Sequence, residues 1–264
     1  TEELDHCALG VRGGFVPPSK GGSPSRGQLD ILPTGRNMYA IDPSEIPSHT
    51  AYRIGAHLGQ QLLEKHLEVS GSLPESTAFV LYSGDQMRTQ GEDIGEILWL
   101  MGLRPQWLSE HSDKVIGLEV IPLSELGRPR LDVVSRISGL LRDTFPTLIT
   151  LLDEAVQLVL SLDEPIEANW VKKHYAEEVA ELRAAGIDPE TARQEAKLRV
   201  FGCPPGTYGG GVAVLIETKQ WQSSDDLGET AITWGCHAYS QELHGRVSRG
   251  AFERKLARVE ATVK

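Results

Sequence analysis

A chain of 264 residues, 40% hydrophobic and 24% charged, is expected to fold as one large globular domain or two smaller ones. Its formal net charge of −11 excludes a general nucleic-acid or anionic-membrane surface, so a site for an acidic ligand would need arginines gathered locally. Cys7, Cys203 and Cys236 lie far apart with no CxxC pair, which points to a reducing, cytoplasmic compartment rather than a disulfide frame or zinc site, and no apolar run is long enough to span a bilayer.

Residues 1–47 read as an irregular arm. GGFVPPSKGGSPSRG is rich in glycine and proline and lacks the GKS or GKT ending of a phosphate loop. Within LDILPTGRNMYAIDP, Pro33 and Gly35 set a turn that displays the guanidinium of Arg36 beside the amide of Asn37. Such a turn can hold an anion or simply carry a structural salt bridge.

Residues 48–163 read as an α/β region. Ser48 caps a helix to about Val69, with Ala51, Ile54, Leu58 and Leu62 as its expected core face and Gly71 as its stop. TAFVLY at 77–82 is a buried parallel-type strand, followed by a polar loop at 83–90 and a helix from Gly91 to Met101. A strand-like segment at 115–123 leads through LGRPR to a second parallel strand at 131–137, then to a helix at 145–162. Residues 164–264 read as mainly helical, with helices at 166–185, 189–200, 212–217, 225–235 and 250–263 around the loop FGCPPGTYGGG. The fold class is thus α/β, a parallel-type sheet with flanking helices, continuing into a mainly helical region.

Ligands of open α/β sheets sit at the carboxyl ends of the strands, so chemistry is expected near 83–90 and 136–143. Glu92, in the first turn of its helix, is favoured as a carboxylate by the helix dipole, although acidic first turns are common for that reason alone. His174 stands one turn before Glu177 and Glu178, a spacing compatible with a metal, a proton relay or a solvated pair. The glycines of 204–211 allow backbone to approach a ligand, with Tyr208 able to stack on a flat one. Arg36, Arg88, Arg128, Arg130, Arg136 and Arg142 could converge on a ligand bearing several carboxylates. No nucleophile triad, HExxH or Walker loop is present.

Several dispersed motifs occur in one order: PTGRN…DP…IP, VLYSGDQMRTQGEDIGEILWLMGLRP, VIPLSELGRPRLDVVSRISGLLRDTFP, KKH and RVFGCPPGTYGGGV. Together they resemble the large subunit of the tetrapyrrole metal chelatases, the cobaltochelatase large subunit and the magnesium chelatase H subunit. The form of the glycine-rich loop is closer to the cobalt branch. The resemblance covers nearly the whole chain, but such subunits are several times longer, so a central piece is expected, inactive on its own; the start at Thr1 fits such a piece.

The resemblance implies insertion of a divalent metal substrate, cobalt rather than magnesium, into a corrinoid or porphyrin. ATP would be hydrolysed with its magnesium on separate AAA+ partner and adaptor subunits and not here. It implies Glu92 and His174 as the catalytic and metal-delivering pair, facing one cleft. Arg36, Asn37, Arg88, Arg136, Arg142 and Tyr208 would then line the pocket. Competing readings are a non-catalytic tetrapyrrole-binding scaffold and a carboxylate hydrolase using Glu92 with Asp143. His49 stands where the family pattern suggests a long basic or a small residue.

Overall fold

A computed structural model describes residues 2–21, 24, 29–38 and 41–264. The arm contains α1 (Glu2–Val11), and β1 (Ser19–Lys20) pairs in parallel with β2 (Asn37–Met38) in a small sheet of its own. Asp42 then caps a 3-10 turn at Pro43–Glu45 by accepting from the Ser44 N–H at 2.9 Å.

α2 (His49–Ser70) starts at Ser48, whose hydroxyl accepts from the Ala51 N–H, and stops at Gly71 in the left-handed region. Its buried face is Ala51, Gly55, Gly59 and Leu63, whereas Ile54 and Leu58, expected inside, are exposed. The reason is close helix packing. A Cβ at Gly55 would fall 2.4 Å from the carbonyl oxygen of Glu92 and the amide of Glu96, so glycine lets α2 lie directly on the following helix. A pattern read from large apolar side chains misses a face made of glycine.

β3 (Ser76–Leu81) confirms the first expected strand. The polar stretch after it is not a loop but α3 (Ser83–Thr89), joined to α4 (Glu92–Leu100) by Gln90 and Gly91, both at positive φ. β4 (Leu103–Ser109) was not anticipated. It pairs antiparallel with β5 (Ser112–Val120), so the strand-like segment at 115–123 belongs to a separate hairpin and not to the main sheet. This hairpin explains His49. The His49 ring stacks on Trp107 at 3.9 Å, its amide and Nδ1 lie 2.9 and 3.0 Å from Asp113 Oδ1, and Trp107 Nε1 donates to the Pro47 carbonyl. Together they fasten the hairpin to the start of α2.

α5 (Leu123–Leu126) leads to β6 (Asp132–Ile137), α6 (Gly139–Thr144), α7 (Pro146–Ser161), α8 (Trp170–Ala184) and α9 (Pro189–Lys197). The remaining elements are β7 (Val200–Gly202), α10 (Val212–Glu217), α11 (Ser224–Gly235), β8 (His237–Tyr239), β9 (His244–Val247), α12 (Arg249–Leu256) and β10 (Ala261–Val263). The mainly helical region therefore also supplies four strands, and all of them enter the main sheet, whose order is β10-β3-β6-β7-β8-β9. β10, β3, β6 and β7 are parallel, and β8 and β9 add an antiparallel edge. Alternation along β6 divides the core: Val133 and Ile137 join the cluster containing Leu98, Leu148 and Leu152, while Val134 joins Phe201, Ala251 and Phe252. No described helix is long and apolar enough to cross a membrane.

Candidate functional site at the carboxyl end of the sheet

β3, β6 and β7 end side by side, and the residues at and just beyond their ends form a cleft. Tyr82 follows β3, Arg136 and Ser138 stand at the end of β6, Cys203 follows β7, and Gly209 and Gly210 close the cleft from the loop 203–211. It encloses about 450 Å³ of empty space, part of it open solvent. This is where an open α/β sheet is expected to receive a ligand.

The loop is pinned from beneath. Arg142 is 2% exposed and forks onto its neighbour Asp143, with Nε 2.6 Å from Oδ1 and Nη2 2.8 Å from Oδ2. Its Nη1 donates to the Pro204 carbonyl at 2.7 Å, and the Tyr239 hydroxyl donates to the Cys203 carbonyl at 2.6 Å. The Tyr208 hydroxyl donates to Asp143 Oδ2 at 2.8 Å. The Arg142 bond holds the Asp143 carboxyl below its usual value, and the bond to Asp143 raises the Tyr208 phenol. Arg142, expected to face substrate, thus uses its donors on the protein and is a structural post for the loop. The exposed ring of Tyr208 stands on that post.

Arg136 differs from it. Its neighbours across the sheet are Val80 on β3 and Phe201 on β7. A Cβ at Gly210 would fall 2.8 Å from Nη2, and one at Gly235 would fall 3.3 Å from Nε, so the guanidinium lies between the glycine loop and the end of α11. Among the described residues it makes no hydrogen bond and no ion pair.

The other expected arginines go elsewhere. Arg88 pairs with Asp85 at 2.6 Å on the exposed face of α3. Arg130 is fully buried, forking onto Glu164 and donating to the carbonyls of Gly102 and Ile121. Arg128 lies over the Trp99 ring at 4.2 Å. Arg36 is exposed beside β2, and no described residue of that segment lines the cleft. The Asn37 side chain falls outside the described residues.

His174 lies at the opposite end of the sheet. Asp132, the first residue of β6, is 2% exposed and receives the fork of Arg199, with Nε 2.6 Å from Oδ1 and Nη2 3.0 Å from Oδ2. His174 places Nδ1 3.0 Å from Asp132 Oδ2 and Nε2 3.2 Å from Glu75 Oε2. Burial pushes the Asp132 carboxyl up, but Arg199 and His174 outweigh it and hold the group well below its usual value. Lys255, buried against Glu178, shares the Ala196 carbonyl with Arg199. Burial and Arg199 push its ammonium down to about 7 against the pull of Glu178.

Glu92 is at the other end. It opens α4, its N–H donating to Thr89 Oγ1 at 3.2 Å. From there α4 descends about 12 Å, at ~1.5 Å per residue, to Leu100. The Leu100 carbonyl accepts from the Leu131 N–H at 3.1 Å, next to Asp132. Glu92 and His174 are therefore separated by the length of α4, too far for ligand bonds of about 2 Å to one ion. The expectation that they face one cleft is corrected: His174 belongs to a buried charge network. Among the described residues no group of three or more His, Cys, Asp or Glu is arranged to hold a metal.

One acidic residue was overlooked. Glu96, one turn beyond Glu92, is 3% exposed, and its side chain has no hydrogen bond or ion pair among the described residues. Burial and the nearby Asp93 carboxylate push it up to about 7. Asp93 itself accepts from Gln86 Nε2 at 2.9 Å. The sequence signal was a glutamate inside the apolar run IGEILWLM.

A family model described as CobN/Magnesium Chelatase matches residues 1–264. The chain belongs to that family. Within the CobN/magnesium chelatase family it is 41% identical over 261 residues to the aerobic cobaltochelatase subunit CobN of Pseudomonas aeruginosa, covering 99% of this chain and 21% of that one. It is 36% identical over 264 residues to the chloroplastic magnesium-chelatase subunit ChlH of Oryza sativa subsp. japonica, covering 98% of this chain and 18% of that one. The solved structure of the catalytic subunit of cobaltochelatase from Mycobacterium tuberculosis superposes with a TM-score of 0.88 at 40% identity, covering 98% of this chain and 21% of that one. The chain spans about a fifth of the length of the curated relatives it matches.

Proposed function

We propose that the chain forms one wall of the tetrapyrrole seat in the large subunit of a metal chelatase, one that inserts cobalt into a corrin precursor in cobalamin biosynthesis. The observation that carries this reading is the cleft over three parallel strand ends, which joins a glycine-rich loop, the ring of Tyr82 and an arginine whose guanidinium has no partner among the described residues. A flat ring rimmed with carboxylates complements those groups. The higher identity to CobN than to ChlH, 41% against 36%, supports cobalt over magnesium.

Metal insertion must take two protons from pyrrole nitrogens and strip water from the ion. Glu92, at a helix start on the same end of the sheet, is the carboxylate proposed to accept a proton or guide the ion. Arg36 and Asn37, whose segment has no described residue in the cleft lining, are proposed to meet the ring outside the cleft, and Tyr208 is proposed to stack on it from the glycine-rich loop. ATP hydrolysis belongs to AAA+ partner subunits.

Spectroscopic titration of this chain with a hydrogenobyrinic-type corrinoid and with protoporphyrin tests the reading. Tighter binding of the corrinoid is expected. Preference for protoporphyrin would move the assignment to the magnesium reaction, and binding of neither would overturn it.

A further inference from the structure

Arg136 and Arg142 stand six residues apart at the same end of the sheet, yet their surroundings are opposite. Arg142 is buried and its guanidinium is saturated by a carboxylate and backbone carbonyls. Arg136 is half-buried, lines the cleft, and meets no acceptor among the described residues. In a chain with 37 acidic and 26 basic residues, an arginine with no carboxylate partner among the described residues is not the default arrangement. The protein also makes room for it. Glycine stands at the two positions, 210 and 235, where a Cβ would crowd its Nη2 and Nε. A half-buried guanidinium is incompletely hydrated, so an incoming anion gains more from it than from a solvated surface arginine. Its planar fork matches a carboxylate with two parallel N–H···O bonds. Ser138 beside it has a hydroxyl whose oxygen accepts from the Leu141 N–H, which leaves its hydrogen to donate into the cleft.

We infer that Arg136 is the specificity-determining contact of this cleft, a fork that takes one peripheral carboxylate of an acid-rimmed tetrapyrrole and thereby selects it over a ring lacking an acid at that edge. The assignment depends on the cleft being the macrocycle's seat. Its chemical content is narrower: a carboxylate, held at the ring edge, by this side chain and not by Arg142. Arg136 holds and orients the ring; it takes no part in proton or metal transfer.

The test titrates the chain with a hydrogenobyrinic-type corrinoid carrying free peripheral carboxylates and with the same ring fully esterified. The wild-type chain is expected to prefer the free acid. Arg136→Gln should weaken binding of the acid roughly ten- to hundred-fold, the worth of a charge-assisted pair, and leave binding of the ester unchanged. Arg136→Lys, which keeps the charge and loses the fork, should recover only part of the affinity. Because the Arg136 guanidinium bonds to nothing among the described residues, both variants should keep the wild-type thermal midpoint. Equal binding of acid and ester by the wild-type chain, or full affinity for the acid in Arg136→Gln, would overturn the inference and leave the proposed function standing. Binding of neither ring would overturn both.

Discussion

Glu96 and Asp132 are both almost fully buried carboxyls, and the protein treats them in opposite ways. Asp132 has a guanidinium and an imidazole against it, and these more than offset the cost of burying its charge. Glu96 has neither, so burial and Asp93 favour its neutral form and raise it from 4.5 to about 7. The sign follows from linkage. A carboxyl with a raised folded value binds its proton more tightly folded than unfolded, so its stabilising contribution is complete below about 4.5 and is lost as the pH rises through about 7. Above that pH the buried charge costs on the order of 3 kcal/mol, at ~1.4 kcal/mol per pH unit. Glu96→Gln removes this cost. Denaturant titrations should show the variant close to wild type at pH 5 and more stable at pH 8; an identical pH dependence for both proteins would show that Glu96 is ionised throughout. The sequence marked Glu92, at a helix start where dipole arguments apply, and missed Glu96, whose character depends on a helix from another part of the chain.

That helix pair sets the element scale. α2 lies against α4 through Gly55, with Cβ space closed by the backbone of Glu92 and Glu96. Gly55→Ala must push the helices apart. It is expected to cost about 1–3 kcal/mol, the usual range for overpacking, despite alanine's better helix propensity. Gly228→Ala in α11, where a Cβ meets nothing within 4 Å, is the control and should be neutral or slightly stabilising. Equal denaturation midpoints for the two variants would show that α2 can shift freely. The same contrast explains which elements were legible. β3 carries the apolar run Ala78–Leu81, β6 has Val133, Val134 and Ile137 among its six residues, and α7 carries a full apolar stripe, so local pattern was enough. β7, β8 and β10 have three residues each, too short for a period to register, and exist because distant strands offer them a hydrogen-bonding edge. The cleft was legible in part. Strand ends and glycines located it, but whether an arginine faces a ligand or a carbonyl depends on partners such as Pro204, 62 residues from Arg142.

Across the whole molecule, the two ends of the parallel sheet hold their charges differently. At the amino end Asp132 is paired with Arg199 and hydrogen-bonded to His174, which also meets Glu75, and Glu178 is paired with Lys255 and Arg254. At the carboxyl end an arginine faces an open cleft. A closed network serves stability and an open charge serves binding, so substitutions at the two ends should separate the two properties. Asp132→Asn leaves Arg199 buried without its counter-charge and should cost about 3–5 kcal/mol. It should also change the acid limb. The depressed value of Asp132 gives stability that is present above the ordinary 3.8 and drains away as the pH falls below it. That loss should be absent from the variant, whose unfolding in denaturant should depend less on pH between about 4 and 2. At a temperature where the variant remains folded, its affinity for the free-acid corrinoid should match wild type, because α4 and the length of β6 separate it from the cleft. Arg136→Gln should show the reverse, wild-type stability with weakened binding. Loss of ring affinity in fully folded Asp132→Asn would place the charge network in the binding site and return His174 to a functional role.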